Sequence, residues 1–314
     1  MHVAEVVEIT RGVLKSAPCV RAFSHVSTDP KNTQGGLFIA LHPQDIAQAL
    51  ACGAYGVLYD QDMGISDPEI AWIFVPQVAK ALERLLRYHL LGVRLLCVDA
   101  VEFAILSRIL HAKHVVLFEG ESVELLNLSL LEVSCIVAHT PAFKSFFEKE
   151  LDLEGAPPFQ ILLAQLFNLS VLYQGVRFDL KLPSFYAPQL ARALLACEAL
   201  GVCAQLDHLG MLPFMRAFYT NDALEPCAHG CKVLVGGVLL DHMRALLDHT
   251  RTNAPWHHIE IFTPTPLEIA HQLYCDLNHL KILLRAPFTL GFVLGGVDIG
   301  ALLACRPQQG SLFG

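Results

Sequence analysis

The chain has 314 residues, 54% hydrophobic and 17% charged, with a formal charge of -8 at neutral pH. That is enough apolar material for two or three real cores, and the composition is not that of a disordered chain. The acidic balance, a pI near 6.0 and the lack of any Lys/Arg-rich run argue against a nucleic-acid partner.

A mean hydropathy of +0.45 raises the question of a membrane span. The longest apolar stretches, 161–173 and 282–297, are interrupted by Gln165, Asn168, Ser170 and Arg285. Both fall short of the roughly 20 apolar residues a spanning helix needs, so they read as buried strands and helices. The first residues carry His2, Glu5 and Glu8 and have no apolar signal segment. The expected location is the cytoplasm. There the ten cysteines stay reduced, and those inside apolar runs act as small hydrophobes.

Elements alternate along the chain. The spacing predicts a strand over 36–41, a helix over 45–52 ended by Gly53, and strands over 55–59 and 73–75. Residues 78–91 form an amphipathic pattern, with Leu82, Leu85, Leu86 and His89 on one stripe and Lys80, Glu83 and Arg84 outside it. Next come a strand over 93–98, a helix over 101–111, and strands over 114–118 and 134–138 that suit a parallel sheet. Residues 150–158 read as a long loop and 190–200 as a helix ending at Gly201. The last third predicts strands over 232–235, 258–262 and 289–294 and helices over 240–249 and 266–273, with Gly236-Gly237 and Gly295-Gly296 as turns. Strand-helix-strand order points to an α/β protein.

Several of these pieces, in order and spacing, resemble the Mur ligases, the ATP-dependent ligases that add amino acids to peptidoglycan precursors. Residues 26–31 (Val-Ser-Thr-Asp-Pro-Lys) followed by 35–41 (Gly-Gly-Leu-Phe-Ile-Ala-Leu) are similar to the opening signature of the MurE/MurF type. Pro30, Lys31 and Gly36 stand where that pattern has Ser, Arg and Asp. Residues 47–58 and 73–89 follow the same family, the latter through Val75, Pro76, Ala81, Leu82, Leu85 and Tyr88. The resemblance implies that the amino-terminal domain holds the uridine-nucleotide end of a muramoyl precursor, with Ser27, Thr28, Asp29 and Lys31 as candidate contacts. Without the resemblance, the same residues describe a strand-end turn in which Asp29 accepts backbone N–H groups.

The family's ATP site should follow. A phosphate-binding loop needs glycines, a Lys and a Ser/Thr at a helix N-terminus. Residues 94–103 (Arg-Leu-Leu-Cys-Val-Asp-Ala-Val-Glu-Phe) contain no Gly, Lys or Thr, and Asp99 and Glu102 bring negative charge instead. Further on, Phe185, Tyr186 and Gln189 stand where the family has His, Asn and Asn, although Ala191, Ala193, Ala196, Leu200, Gly201 and Val202 keep its framework. Residues 232–247 resemble the start of the family's carboxy-terminal domain.

Outside the resemblance, Cys227, His229 and Cys231 form the most metal-like cluster. Zinc would need a second pair, which His257-His258 or Cys275 with His279 would have to supply. The alternative is a loop with two ordinary cysteines. Residues 306–314 read as a polar tail with an apolar end. No serine-hydrolase or zinc-protease motif is present.

The expected fold is α/β and Mur-ligase-like: a small α/β domain over 1–91, a reduced central parallel-sheet region over 92–222, and a Rossmann-like domain over 223–314. The expected function is a non-catalytic Mur-ligase-like protein of bacterial cell-wall metabolism with no cofactor. Its partner would be a UDP-MurNAc-type precursor or another protein of wall synthesis. An enzyme with a rebuilt site and an assembly protein with no small ligand are the alternatives.

Overall fold

The computed structural model describes residues 1–129, 132–139, 141–227 and 230–304. The chain packs as two compact units. One is Met1–Phe103 with His111–Asp152, and the other is Ala104–Leu110 with the chain from Leu153 onward.

The first unit begins with α1 (Val3–Thr10) and then builds a sheet from β1 (Val13–Leu14), β2 (Val26–Ser27), β3 (Leu37–Ile39), β4 (Gly56–Tyr59) and β5 (Ala71–Phe74). The spatial order is β1-β5-β4-β3-β2, with β1 antiparallel at one edge and the others parallel. Successive side chains of a strand point to opposite faces, and both faces are covered. Leu37, Ile39, Leu58 and Ile73 join a core with Val3 and Val6 of α1 and with Ala81 and Leu85 of α3 (Val78–His89). Phe38, Val57, Tyr59 and Trp72 join a second core with Ile46 and Ala49 of α2 (Ile46–Ala51). Coverage on both sides makes these strands apolar runs rather than alternating ones. Gly53 follows α2 with φ at +83°, a turn that favours glycine.

Helix α3 ends two residues before its apolar pattern predicts. It buries Val78, Ala81, Leu85 and Leu86, and full burial of each leucine stabilises by about 1.5–3 kcal/mol. The Val78 N–H donates to Asp60 Oδ2 at 3.0 Å, so the aspartate after β4 caps this helix. A second sheet completes the unit, made of β6 (Arg94–Cys97), β7 (Val115–Phe118), β8 (Cys135–Ala138) and β9 (Lys149–Glu150); α4 (Ala100–Ile109) follows β6, and its residues from Ala104 on belong to the second unit. The sheet's order is β7-β8-β6-β9, parallel throughout.

The second unit opens with an antiparallel sheet of β10 (Phe159–Ala164), β11 (Leu169–Tyr173) and β12 (Val176–Leu180), followed by α5 (Ala187–Ala199). Its larger sheet comprises β13 (Arg216–Thr220), β14 (Lys232–Gly236), β15 (Ile259–Thr263), β16 (Gln272–Leu273) and β17 (Leu290–Val293). Helices α6 (Met243–Asn253), α7 (Leu277–Leu283) and α8 (Ile299–Ala304) accompany it. The order is β13-β14-β17-β15-β16, with only β13 antiparallel.

Three expectations are corrected. Residues 266–273 form no helix: Thr263 Oγ1 accepts the Thr265 N–H, fixing an extended turn between Pro264 and Pro266, and 272–273 pair as β16. The helix starts later, where Asp276 caps α7 through the His279 N–H. The apolar run 161–173 divides into β10 and β11, and β10 is exposed after Phe159 rather than buried. Among the described cysteines, all free, only Cys135 and Cys197 are buried, and burial pushes their thiols up to about 11 and about 12. Cys19, Cys203, Cys231 and Cys275 are exposed. No helix among the described residues is long and apolar enough to cross a membrane.

A lysine locks the larger sheet to α7. Lys232 is 2% exposed, with Nζ donating to the carbonyls of Ala286 at 2.9 Å and Leu284 at 3.3 Å, just past the helix end, and lying over the Phe288 ring. Asp222, 3.3 Å away, is its ion-pair partner. Replacing Lys232 with Ala leaves the two carbonyls and the aspartate without this cation. Chemical denaturation is expected to show a loss of about 2–4 kcal/mol.

A histidine contact joins the turn before α5 to α6. Asn253 Nδ2 donates to the His249 carbonyl at 2.8 Å and faces Nδ1 at 3.3 Å. Nδ1 is therefore the acceptor, and Nε2–H donates to Ser184 Oγ at 3.2 Å. Burial lowers the affinity of His249 for a proton, and the same cause acts at His257 and, as the largest influence, at His89. A depressed folded pKa means the unfolded chain binds more protons. This contribution to stability is present above the unfolded value near 6.5 and is lost as pH falls below it. Unfolding free energy is expected to drop between about pH 7.5 and 5.5, and His249→Gln is expected to flatten that slope.

Candidate functional site

Parallel strands deliver their following loops to one edge, and ligands of open α/β sheets gather at that carboxyl edge. In the first sheet the turn after β2 lies there. Ser27 is buried, Thr28 is half-buried, and Asp29 and Lys31 are exposed. Ser27 Oγ donates to the Asp29 carbonyl and accepts the Asp29 N–H, each at 3.0 Å, while the Lys31 N–H donates to Asp29 Oδ1 at 3.0 Å. Asp29 therefore does accept a backbone N–H, as the turn reading expects. The bonds bring Ser27, Asp29 and Lys31 into one turn. The Lys31 ammonium has no hydrogen bond or ion pair among the described residues. Thr33 anchors the far end of the turn by donating to the Ala49 carbonyl at 3.0 Å.

The edge strand leading into this turn is held by a residue with no local sequence signal. Asn127 accepts the Val26 N–H at 2.8 Å and donates to the Val26 carbonyl at 2.9 Å. Its amide thus satisfies both backbone groups as a further strand would.

The second sheet has its own carboxyl edge. Only Val98 and Asp99 separate β6 from α4. Asp99 Oδ1 accepts the N–H groups of Val101 at 2.8 Å and Glu102 at 2.7 Å, and Glu102 Oε2 accepts the Asp99 N–H at 3.1 Å. This reciprocal arrangement is a capping box built from two carboxylates. The amides of a first helical turn are where phosphate is bound in nucleotide-binding sheets. Here they already hold an anion belonging to the chain. Nearby, His139 after β8 lies 3.6 Å from Glu119 after β7, with its ring edge-on to Phe103 at 5.4 Å between centroids.

Other sequence candidates are not brought together in this way. Cys227 is half-buried and Cys231 exposed, while His229 and the tail 306–314 lie outside the described residues. No group of three or more metal-ligating side chains occurs among the described residues. Phe185 and Tyr186, at the positions of the resembled His-Asn pair, stack with His242 and, for Phe185, also with His249. Aromatic packing occupies that place. A cavity of about 650 Å³ lies along α1 and is lined by Val3, Ala4, Val7, Leu14 and Val20, none of them in the Ser27–Lys31 turn.

The strand-end turn should depend on its distant anchor. Asn127→Ala leaves the Val26 N–H and carbonyl without that partner, and a loss of about 1–3 kcal/mol is expected. Amide exchange of residues 28–31 should accelerate along with it. Unchanged exchange there would show that the turn holds itself.

No protein-family model matches the sequence. No curated protein matches it either. Solved structures do. The chain is similar to a crystal structure of MurF from Acinetobacter baumannii, with 13% identity, a TM-score of 0.60, and 96% of this chain and 98% of that one covered. A second crystal structure of the same enzyme gives 12% identity and a TM-score of 0.58, covering 96% and 98%. A third, described as the UDP-N-acetylmuramoylalanyl-D-glutamyl-2,6-diaminopimelate–D-alanyl-D-alanyl ligase of that organism, gives 13% and 0.57, covering 96% and 97%. At this identity the likeness speaks to the fold: the chain has a Mur-ligase-like α/β fold with parallel sheets.

Proposed function

We propose that this chain is a non-catalytic Mur-ligase-like protein of bacterial cell-wall metabolism. In this reading it holds a UDP-linked muramoyl precursor at the carboxyl edge of its amino-terminal sheet and does not bind ATP. The observation that carries the reading is the Asp99 carboxylate seated on the first amides of α4. A triphosphate would have to displace it and then face both Asp99 and Glu102. The two-residue link from β6 supplies no lysine for the terminal phosphates and no hydroxyl for magnesium.

Support for the uridine ligand comes from the first sheet. Asp29, with its second carboxylate oxygen, can accept from a hydroxyl or imide N–H. Lys31 offers a solvent-facing cation for a phosphate. The turn is held in place by Ser27, Thr33 and Asn127. One of the similar structures is, by its description, a UDP-N-acetylmuramoylalanyl-D-glutamyl-2,6-diaminopimelate–D-alanyl-D-alanyl ligase, which supports the precursor class. The same reading divides the chain into functional parts over 1–91, 92–222 and 223–314, although β13 (Arg216–Thr220), which pairs with β14, lies just before the last boundary.

Thermal unfolding with ATP-magnesium, UDP and UDP-muramoyl peptides tests this. A ligand that binds only the folded chain, at about 100 times its dissociation constant, stabilises it by roughly 2.7 kcal/mol. A shift with the uridine compounds, weakened at least about ten-fold in affinity by Lys31→Ala, and none with ATP, is the expected result. Stabilisation by ATP-magnesium would overturn the reading. Silence from all three would also do so, and would favour an assembly role.

A further inference from the structure

The three-stranded antiparallel sheet of the second unit has two unlike edges. β12 carries charge: Arg177 and Asp179 pair at 2.9 Å, both well exposed. β11, in the middle, is buried at Leu169, Val171 and Tyr173. β10 forms the other edge, and every residue after Phe159 is exposed, including Ile161, Leu162 and Leu163 at 52%, 50% and 49%. Sheets usually guard an edge with lysine, proline, a bulge or a covering element. β10 has a bulge near Leu162 and nothing else of this kind within the strand. Residues 157–168 contain no charged side chain, in a chain of net charge -8.

We propose that β10 pairs antiparallel with β10 of a second copy of this chain, joining the two three-stranded sheets into one of six strands. Charge argues for a second copy over a foreign chain. Two acidic copies repel over most of their surfaces, and this neutral segment lets them meet without opposing like charges. An uncharged strand also offers a foreign partner no charge to select it. Two-fold pairing sets Ile161, Leu162 and Leu163 against the same residues of the other copy, the apolar cross-strand pairing that stabilises sheets. Both copies satisfy their open backbone edges in a single step. A six-residue strand is smaller than the roughly 800 Å² per partner of a standard interface, so the dimer is weak and reversible.

Sedimentation velocity of the full chain from about 1 to 200 μM tests the pairing, since a contact of this size dissociates on the order of micromolar or above. A monomer–dimer equilibrium is expected. Leu162→Lys should weaken it at least about ten-fold, whereas Val176→Lys, equally exposed on the opposite edge at 53%, should not. Circular dichroism confirms that each variant folds. If Leu162→Lys does not fold, amide exchange of the unaltered protein decides: protection of residues 160–164 that rises with concentration supports the pairing, and constant exchange overturns it. A monomer at every concentration would overturn it too and leave the strand to a foreign chain. So would a dimer indifferent to Leu162→Lys.

Discussion

A parallel strand pair cannot be closed by a hairpin. The chain must cross back over the sheet before it can run in the same direction again. Three of the four sheets among the described residues obey that constraint, in β2–β5, β6–β9 and β14–β17. Both faces of such sheets are then covered by crossover helices, which demands strands that are apolar throughout. The high mean hydropathy follows from this architecture, because Leu37–Ile39, Gly56–Tyr59 and Cys135–Ala138 are buried at every position. The same constraint gathers the loops with polar and charged side chains, 27–31, 98–102 and 139, at carboxyl edges.

Those edges also begin helices, and the free amides of a first turn require an acceptor. This chain supplies its own repeatedly. Asp60 serves α3, Asp99 serves α4, Asp276 serves α7 and Asp298 serves α8. Each cap favours the helix through a hydrogen bond and through the helix dipole. At α4 the consequence reaches beyond stability. On the proposed reading, the aspartate on those amides competes with a phosphate for the same donors, and its charge adds repulsion. On the same reading, the two-residue link that fits the capping box is too short to wrap a phosphate.

Legibility in the sequence followed the range of the interactions involved. Local periodicity located β3, β4, α3, β6 and α4 to within a few residues because each alternation or stripe is visible within one element. The Ser27–Lys31 turn was also legible, since its bonds span two residues at most. What was hidden depended on distant partners. Asn127 reaches Val26 across 101 positions, and Lys232 reaches Leu284 across 52. Neither has a neighbour that hints at its role. The false helix over 266–273 had apolar spacing and a proline at its first position, which suits a helix start, and what overrode it was the pairing of 272–273 with β15, about ten residues earlier.

The apolar run 161–173 was the harder case, because one pattern has three physical outcomes. A membrane span needs more consecutive apolar residues than this run holds. A buried strand needs cover on both faces, which β11 has and β10 does not. Sequence alone would bury the wrong strand, since the exposed Ile161-Leu162-Leu163 is more apolar than the buried Leu169-Ser170-Val171. Only the position in the sheet distinguishes them. An inner strand spends its apolar side chains on its own core, whereas an edge strand of the same composition exposes side chains and an unpaired backbone row together. The remaining outcome for such a strand is association, and the contrast with the charged β12 edge of the same sheet locates it at β10.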